Sequence, residues 1–386
     1  MNFILLAGIL YALSGVDAQC DDKDLEIVCY WGSWSIYRKD IGHFNTSHIN
    51  TDICTTVVYS FVGLDINMDI TSLDTNADFG SNGGFANFIN LKEKNPCLKT
   101  VLAIGGWNEG SIKYSVMAAT DESRKKFAQS VLQFLVYYKF DGIDIDWEYP
   151  TIRGGLSQDG DNFAALLKEI KNKLSPWGLK LSIAVSIDDT LIGVGYKIRD
   201  IAKVIDSVNL MAYDYISSDS KVTGLSAPLS DIKTTISKWI DGGLPSKKLI
   251  LGIPAYAKNF VLDDPNNNGI GAPVAGIGRP GLFTQEDGLL SYYEVLDILN
   301  VISDIHVEFS DGTNYAYYDD EWLTYDNEAT VKTKVKHALD QNLGGIMMWA
   351  LELDDFSGIY GDPYPLLNAI KSSIDEYQSS KIRNAK

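Results

Sequence analysis

The chain has 386 residues, of which 45% are hydrophobic and 22% are charged, a composition that is ordinary for globular proteins and argues against extensive disorder. Its formal net charge of -18 disfavours nucleic acid and acidic membranes as partners, because both are negatively charged and bind basic protein faces. The length suits one large domain or two to three ordinary ones.

The chain begins with an apolar run. Residues 3–13 are about as long as the hydrophobic region of a signal peptide, and Val16-Asp17-Ala18 follows as a cleavage site. A short buried helix is the alternative. No later segment reaches the roughly 18 uninterrupted apolar residues that a membrane-spanning helix needs. The sequence therefore predicts a signal peptide over residues 1–18 and a soluble, secreted, extracellular protein.

Two features of the first quarter concern covalent modification. The four cysteines are Cys20, Cys29, Cys54 and Cys97. In an oxidising compartment an even number of cysteines favours disulfides, here with three possible pairings. Asn45-Thr46-Ser47 is an N-glycosylation sequon.

Eight β-rich runs follow one another along the chain, and several are separated by helical patterns. Within 122–138 and 161–174 apolar residues recur at helical spacing. Alternation of strands and helices implies parallel strands, and eight such units predict an α/β fold, a closed (β/α)8 TIM barrel. A doubly wound open sheet is the alternative. The eight runs are 26–31, 55–63, 99–106, 142–149, 180–186, 207–214, 249–256 and 344–351.

The segment between the seventh and eighth runs is too long for a simple barrel connection. Residues 263–281 read as a loop, whereas 303–310 and 313–320 alternate like strands around a short helical pattern at 292–299. Because a long loop without its own structure is uncommon, we predict a small α+β insertion domain over 257–327. The barrel then comprises 19–256 and 328–378, and residues 379–386 form a frayed tail.

The run FDGIDIDWEYP, from Phe140 to Pro150, places acidic and bulky apolar residues in alternation. Side chains alternate along a strand, so Asp144, Asp146 and Glu148 point one way and the intervening apolar side chains point the other. In a barrel the apolar set packs against helices, and the acids point inward, where they must share protons or accept hydrogen bonds. A solvated acidic face and a metal site are the alternatives.

A row of like charges raises the pKa of one member. Glu148, at the carboxyl end of the run, can therefore stay protonated and donate a proton. A proton donor beside a row of carboxylates suggests glycoside hydrolysis. The side chain of Asp146 points in the same direction as that of Glu148, so Asp146 is not placed as a nucleophile on the opposite side of a bound substrate. This points to a substrate-assisted reaction, in which the N-acetyl oxygen of the sugar attacks the anomeric carbon.

The run DGIDIDWEYP resembles the DxxDxDxE signature of the family 18 glycoside hydrolases, the chitinase family, with Asp141, Asp144, Asp146 and Glu148 all present. The resemblance covers nearly the whole mature chain and is greatest to secreted arthropod and vertebrate chitinases. Other stretches that resemble strands of this family are CYWGSWSIYR (29–38), YSFVGL (59–64), LAIGGWNEGS (102–111), LMAYDY (210–215), GIPAYAKNF (252–260) and MMWALELDDFSG (347–358).

The resemblance implies roles for the acidic residues. Glu148 corresponds to the general acid and base, and Asp146 to the aspartate that turns toward it and orients the acetamide nitrogen. Asp144 corresponds to a buried partner that holds a proton, and Asp141 to a structural residue.

The resemblance also implies substrate contacts. Tyr213 and Asp214 match the catalytic pair that holds the N-acetyl group while the oxazolinium intermediate forms, although the residues alone are equally consistent with a buried hydrogen-bonded pair. Trp349 matches the tryptophan that forms the floor under the distorted sugar, where an aromatic face suits the apolar face of a pyranose. The other positions that line the cleft in relatives are Trp107, Tyr30, Phe61, Gly105, Gly106, Met211, Met347, Tyr256 and Glu294.

The sequence departs from the family in two places that bear on binding. Relatives commonly carry His-Gly-Ser-Trp after the MAYD motif, an aromatic platform for the leaving-group sugars, whereas this chain has YISSDSK at 215–221. Lys258 stands where many relatives have arginine or histidine, and a lysine lacks the planar fork of arginine.

The resemblance implies a disulfide between Cys29 and Cys54. Cys20 and Cys97 have no clear counterpart in the family, but each precedes a strand, which makes them a candidate second pair.

Taken together, the resemblance implies a secreted chitinase that cleaves β-1,4 linkages between N-acetylglucosamine units with retention, on chitin or chito-oligosaccharides. It implies a monomer with no cofactor and no metal. The main alternative is a non-catalytic chitinase-like lectin that binds chito-oligosaccharides. A third hypothesis is an endo-β-N-acetylglucosaminidase that acts on N-glycans.

Overall fold

A computed structural model describes residue 20 and residues 25–384, so the predicted signal peptide lies outside the described residues. The strands are β1 (Glu26–Gly32), β2 (Thr56–Leu64), β3 (Ile70–Ser72), β4 (Lys99–Gly105), β5 (Gly142–Asp146), β6 (Lys180–Val185), β7 (Ser207–Leu210), β8 (Leu249–Pro254), β9 (Tyr256–Leu262), β10 (Val274–Ile277), β11 (Leu289–Ser291), β12 (His306–Ser310), β13 (Thr313–Tyr318), β14 (Glu321–Tyr325) and β15 (Gly345–Trp349). The α-helices are α1 (Thr75–Asp78), α2 (Gly84–Ile89), α3 (Leu91–Lys94), α4 (Ile112–Ala118), α5 (Asp121–Tyr138), α6 (Asp159–Leu174), α7 (Ile198–Val204), α8 (Leu229–Asp241), α9 (Tyr292–Val301), α10 (Glu328–Asp340) and α11 (Pro365–Asn384).

Eight parallel strands close into a barrel. The hydrogen-bonded order is β1-β15-β8-β7-β6-β5-β4-β2, and β1 also pairs with β2. This second pairing closes the sheet, so the predicted (β/α)8 barrel is confirmed and an open, doubly wound sheet is excluded. The short strand β3 adds to β2 in antiparallel register.

The helices that surround the barrel follow from local sequence signals. α5 begins after Thr120, whose side chain accepts a hydrogen bond from the backbone of Ser123 in a capping box. The helix ends at Tyr138 and is followed by its C-cap residue Lys139, which adopts a left-handed φ of 66°. α6 carries Asp159 and Asp161 in its first turn, where negative charges complement the helix dipole. Both helices lie where the helical spacing predicts them.

A second sheet lies between β8 and α10 in the chain. Its antiparallel order is β10-β9-β14-β13-β12, and β11 also pairs with β9. It encloses a small core of its own, made by Phe260, Leu262, Ala272 and Trp322. The segment 263–281, which the sequence analysis assigns to a loop, contains β10. That strand reads Val-Ala-Gly-Ile; it has only four residues, contains a glycine and is partly exposed, so its strand pattern in the sequence is weak. It pairs with β9 in antiparallel register.

Two disulfides stabilise the first quarter of the chain. Cys20 is bonded to Cys97, and Cys29 is bonded to Cys54. Both pairings suggested by the sequence are therefore present. Across residue 20 and residues 25–384, none of the helices combines the length and apolar character that a membrane-spanning helix requires.

Candidate active site

The acidic residues of β5 occupy the inside of the barrel. Asp144 and Asp146 are buried, as are Ile143 and Ile145, which alternate with them. Glu148 lies two residues beyond the end of the strand and is also almost fully buried. Because active sites of these barrels lie at the carboxyl ends of the strands, this row runs from the core to the functional face.

The carboxylate of Asp144 accepts hydrogen bonds from side chains on three other strands of the barrel. The hydroxyl of Tyr30 on β1 donates to its Oδ2 at 2.7 Å, and Ser182 on β6 donates to its Oδ1. The amide of Asn209 on β7 donates to the same Oδ1 at 3.1 Å and to the Tyr30 hydroxyl at 2.9 Å. Burial raises the pKa of Asp144, while these hydrogen bonds favour its ionised form. Tyr30 thus supports the carboxylate row from inside the barrel.

Asp146 and Glu148 are poised to share protons. Burial, followed by the charges of Glu148 and Asp144, raises the pKa of Asp146 well above its usual range. Its Oδ1 has no hydrogen-bond partner among the described residues. Burial raises the pKa of Glu148 to about 7; Asp214 reinforces this rise and Arg153 opposes it. A carboxyl group that remains protonated near neutral pH can act as a general acid.

Tyr213 and Asp214 lie on the segment that follows β7. Tyr213 is buried, and its hydroxyl lies 4.0 Å from the sulfur of Met347, which is itself buried on β15. Asp214 adopts a positive φ of 60°, and its side chain is 41% exposed. The hydroxyl of Tyr256 donates to Asp214 at 2.8 Å, and Lys258 lies 3.1 Å from its other oxygen. The structure therefore joins four expected site residues in one cluster, with Lys258 added.

An aromatic surface lies at the carboxyl ends of β1, β2 and β15. The ring of Phe61 stacks on that of half-buried Trp349, with centroids 5.7 Å apart. Trp34 stacks on Phe61 at 6.1 Å, lies 6.3 Å from Trp349 and is 42% exposed. Trp34 is not among the site residues predicted from the sequence. Its position two residues past β1 is the signal that would have identified it, because residues just beyond barrel strands face the functional end.

Trp107 forms a second exposed aromatic surface. Its ring is 59% exposed on the turn after β4. The guanidinium of Arg153 lies over this ring and donates at 2.9 Å to the backbone carbonyl of Trp107. Arg153 also donates at 2.8 Å to the backbone carbonyl of Glu148. The structure thus connects an exposed aromatic residue to the segment that carries the acid.

Gly105 and Gly106 lie very close to other parts of the protein. Both adopt positive φ, at 117° and 83°. A Cβ on Gly105 would lie 2.0 Å from the backbone oxygen of Asp146, and a Cβ on Gly106 would lie 2.8 Å from the ring of Phe61. Within the protein their close approach is therefore to β5 and to the aromatic surface, and their approach to substrate stays a prediction. Met211 is half-buried against the core.

Glu294 is occupied by its own segment. One oxygen accepts hydrogen bonds from the backbone of Phe283 and Thr284, and the other accepts from Ser291. With Ser291 it forms the capping box that begins α9. The structure therefore gives Glu294 a capping role, and its contact with substrate stays a prediction.

Asp141 lies at the other end of β5, away from the carboxylate row. It accepts hydrogen bonds from the backbone and the hydroxyl of Thr100, at 2.8 and 2.9 Å. It also pairs with Lys92 at 3.0 Å. These contacts fasten the start of β5 to β4 and to α3.

The segment 215–221 contains four consecutive small polar side chains, at 217–220. Lys258 donates to the hydroxyl of Ser218 at 3.2 Å, and Tyr215 is hydrogen-bonded to Thr235 at 2.9 Å. The same lysine thus contacts both Asp214 and this segment.

Metal binding was an alternative explanation of the carboxylate row. Within residue 20 and residues 25–384, no group of three or more His, Cys, Asp or Glu side chains is arranged to hold a metal ion. The structure instead places Lys258 against Asp214, and Arg153 beside the backbone of Glu148.

Comparisons with known proteins agree with this geometry. Residues 26–354 match the model of the family described as glycosyl hydrolases family 18. Chitotriosidase-1 of Mus musculus is 34% identical over 371 residues, which cover 91% of this chain and 78% of that protein. Endochitinase of Manduca sexta is 32% identical over 392 residues, covering 95% and 71%. The crystal structure of Ostrinia furnacalis Group IV chitinase in complex with allosamidin is 37% identical, with a TM-score of 0.89, covering 91% of this chain and 99% of that one.

Proposed function

Because the chain belongs to glycosyl hydrolases family 18, we propose that it is a chitinase, which hydrolyses β-1,4 linkages between N-acetylglucosamine units in chitin and chito-oligosaccharides. The observation that carries this proposal is the row Asp144–Asp146–Glu148, which ends in a carboxyl group with a pKa of about 7 at the mouth of the barrel. Such a row supplies a proton donor at Glu148. The buried carboxyl groups of Asp146 and Asp144 lie behind it and can change their protonation when Glu148 gives up its proton.

The first chemical step breaks the glycosidic bond. Glu148 donates its proton to the leaving oxygen, while the N-acetyl oxygen of the bound sugar attacks the anomeric carbon and forms an oxazolinium ring. Asp146 is buried, and its Oδ1 lacks a partner in the part of the chain that the structure describes, so it has capacity to accept a hydrogen bond from the acetamide N–H. A buried, unpaired carboxyl oxygen is costly, and binding the acetamide would offset that cost.

The second step restores the acid. Ionised Glu148 takes a proton from water, whose oxygen attacks the anomeric carbon and opens the oxazolinium ring. Two inversions at one carbon give overall retention. Asp214 is engaged by Tyr256 and Lys258, so it is positioned to hold the substrate and not to attack it. The stacked rings of Trp349 and Phe61 supply an aromatic surface, which suits the apolar face of a sugar.

The lectin alternative is not favoured. A protein that only bound the oligosaccharide would need the aromatic surface but not three adjacent buried carboxyls, whose desolvation is expensive. All three are present here, and the relatives reported above are named as chitinases.

We further propose that the protein acts outside the cell as a monomer. Two disulfides support an oxidising compartment, because reducing compartments keep thiols free. The apolar N-terminal run supports the same route.

Hydrolysis of a defined chito-oligosaccharide, with the anomeric form of the products followed by NMR, tests the proposal. We expect turnover in which the β anomer appears first. Cleavage of a high-mannose glycopeptide with no cleavage of chito-oligosaccharide would instead identify an endo-β-N-acetylglucosaminidase. Binding without turnover by the folded protein would identify a lectin.

A further inference from the structure

A groove on the outer wall of the barrel is separate from the carboxylate row. Its volume is about 560 Å³, within the range of about 300–1,000 Å³ that is typical of small-ligand sites. Trp31 and Tyr59 line its floor, and both are buried. Trp31 follows the inward-facing Tyr30 on β1 and therefore faces outward. The groove thus lies on the opposite side of the barrel wall from Asp144.

The walls of the groove are mostly uncharged and polar. One wall is the segment 33–47, and the other runs from Ala77 to Lys94. Glu93 and Lys94 offset each other, which makes the groove close to neutral on a chain whose net charge is -18. Amides and hydroxyls both donate and accept hydrogen bonds, so these walls suit a neutral ligand rich in hydroxyl and acetamide groups. The amides and hydroxyls that matter here are Asn45, Ser47, Ser81, Asn82, Asn87 and Asn90.

The sequon residue Asn45 lies in one wall of this groove. Its Oδ1 accepts hydrogen bonds from the backbone N–H of Ser47 at 2.9 Å and from the Ser47 hydroxyl at 2.7 Å. Its Nδ2 contacts the exposed ring of His43 at 3.4 Å. The local fold therefore depends on the oxygen of Asn45. N-glycosylation changes only the nitrogen, so the turn at 45–48 can keep its cap after modification.

The disulfides are a second observation, because they indicate that the chain passes through a compartment in which N-glycosylation occurs. The disulfides Cys20–Cys97 and Cys29–Cys54 belong to an oxidising compartment, as in the secretory pathway. We propose that Asn45 carries an N-linked glycan and that the first sugars of this glycan lie in the groove. The first two sugars of such a glycan are N-acetylglucosamine units, whose hydroxyls and acetamides match the amides of the groove walls.

The modification is a group transfer. A bond forms between Nδ2 of Asn45 and the anomeric carbon of an oligosaccharide carried on a lipid diphosphate. Nδ2 loses one proton, and the lipid diphosphate leaves with the electron pair of the broken C–O bond. The opposite wall then receives the glycan: Asn90 is available there because it makes no capping hydrogen bond to α3.

The test uses the full chain secreted from a eukaryotic cell and three proteins: the wild type, S47A, which removes the sequon, and S47T, which keeps it. We expect the intact masses of the wild type and of S47T to exceed the mass of the polypeptide by one glycan. The intact mass of S47A should equal the mass of its polypeptide. Hydrogen exchange of residues 81–94 should be several-fold slower in the glycosylated wild type than in S47A. It should also be slower than in wild type treated with peptide N-glycosidase F, which removes the glycan together with Nδ2 and converts the side chain of Asn45 to a carboxylate.

A wild type that is secreted without a glycan would overturn the modification. A glycosylated wild type whose residues 81–94 exchange as fast as those of the deglycosylated protein would show that the glycan projects into solvent, and would overturn the groove as its site. Hydrolysis of chito-oligosaccharide by S47A serves as the folding control. We expect it to equal that of the wild type, because the groove and the carboxylate row share no residue.

Discussion

The guanidinium of Arg153 lies 3.6 Å from the ring centroid of Trp107, the exposed aromatic residue beside the cleft. The same group donates to the backbone carbonyls of Trp107 and Glu148. Stacking of a planar cation on an aromatic face is favourable, so Arg153 holds Trp107 in place while its charge acts on Glu148. One side chain thus connects the exposed ring of Trp107 to the segment that carries Glu148.

Removal of this charge should change the pH dependence. Arg153 opposes the rise of the pKa of Glu148, so R153M should raise that pKa further. Glu148 must be protonated to act as an acid. In the pH profile of kcat/KM, the fall in activity at high pH (the basic limb) should therefore move to higher pH, by about 0.5–1 unit. R153K is the matched control, because it keeps the charge and should leave the limb in place. A limb that moved to lower pH in R153M would contradict this account.

Trp34 should contribute to binding of longer substrates. It extends the surface formed by Phe61 and Trp349 and is exposed. Loss of one aromatic stacking contact should raise KM for a chito-hexaose by about 2- to 12-fold in W34A, with little change in kcat. W177A is the control, because Trp177 is also exposed but lies before β6, at the opposite end of the barrel. Equal effects of the two substitutions would refute the role of Trp34.

Lys258 should act through Asp214. Its ammonium lies 3.1 Å from that carboxylate and also contacts Ser218. K258M leaves the carboxylate of Asp214 with Tyr256 as its remaining hydrogen-bond partner among the described residues, so we expect kcat to fall by about 3- to 10-fold, a modest effect because the pair is partly exposed. K258R should recover most of the loss. A change confined to KM in K258M would assign the lysine to uniform substrate binding instead.

Glu352 should make stability depend on pH. It is buried, its Oε1 has no partner within the described part of the chain, and burial raises its pKa to about 7. The folded state therefore holds this proton more tightly than the unfolded state, whose pKa is about 4.3. The contribution of Glu352 to the free energy of unfolding is therefore fully present below about pH 4.3 and is lost as the pH rises to about 7.

E352Q removes this dependence, because the amide does not ionise. The variant should exceed the wild type in free energy of unfolding by about 1–3 kcal/mol at pH 8, and the difference should vanish near pH 4.5. Denaturant unfolding at both pH values measures it, with E376Q as an exposed control. A difference that grew toward low pH would have the wrong sign for this explanation.

The barrel could be predicted from the sequence because its strands are almost wholly buried and read as apolar runs. The alternation around Asp144 also indicated which side chains face inward. The partners of Asp144 could not be found this way, since Tyr30 and Asn209 are separated from it by 114 and 65 residues. Trp34 and Glu294 differ from these partners, because each has a local signal: Trp34 stands two residues past β1, and Ser291 and Glu294 have the spacing of a capping box. The fold adds that Trp34 extends an aromatic surface.

The most direct test of the central claim is the rate of chito-pentaose hydrolysis by the wild type and by E148Q, with affinity measured by calorimetry on the same samples. If Glu148 donates the proton, E148Q should lose activity by about a hundredfold or more and should keep its affinity within a few-fold. An E148Q protein that binds the pentaose and retains more than a tenth of the wild-type rate would show that another group is the acid.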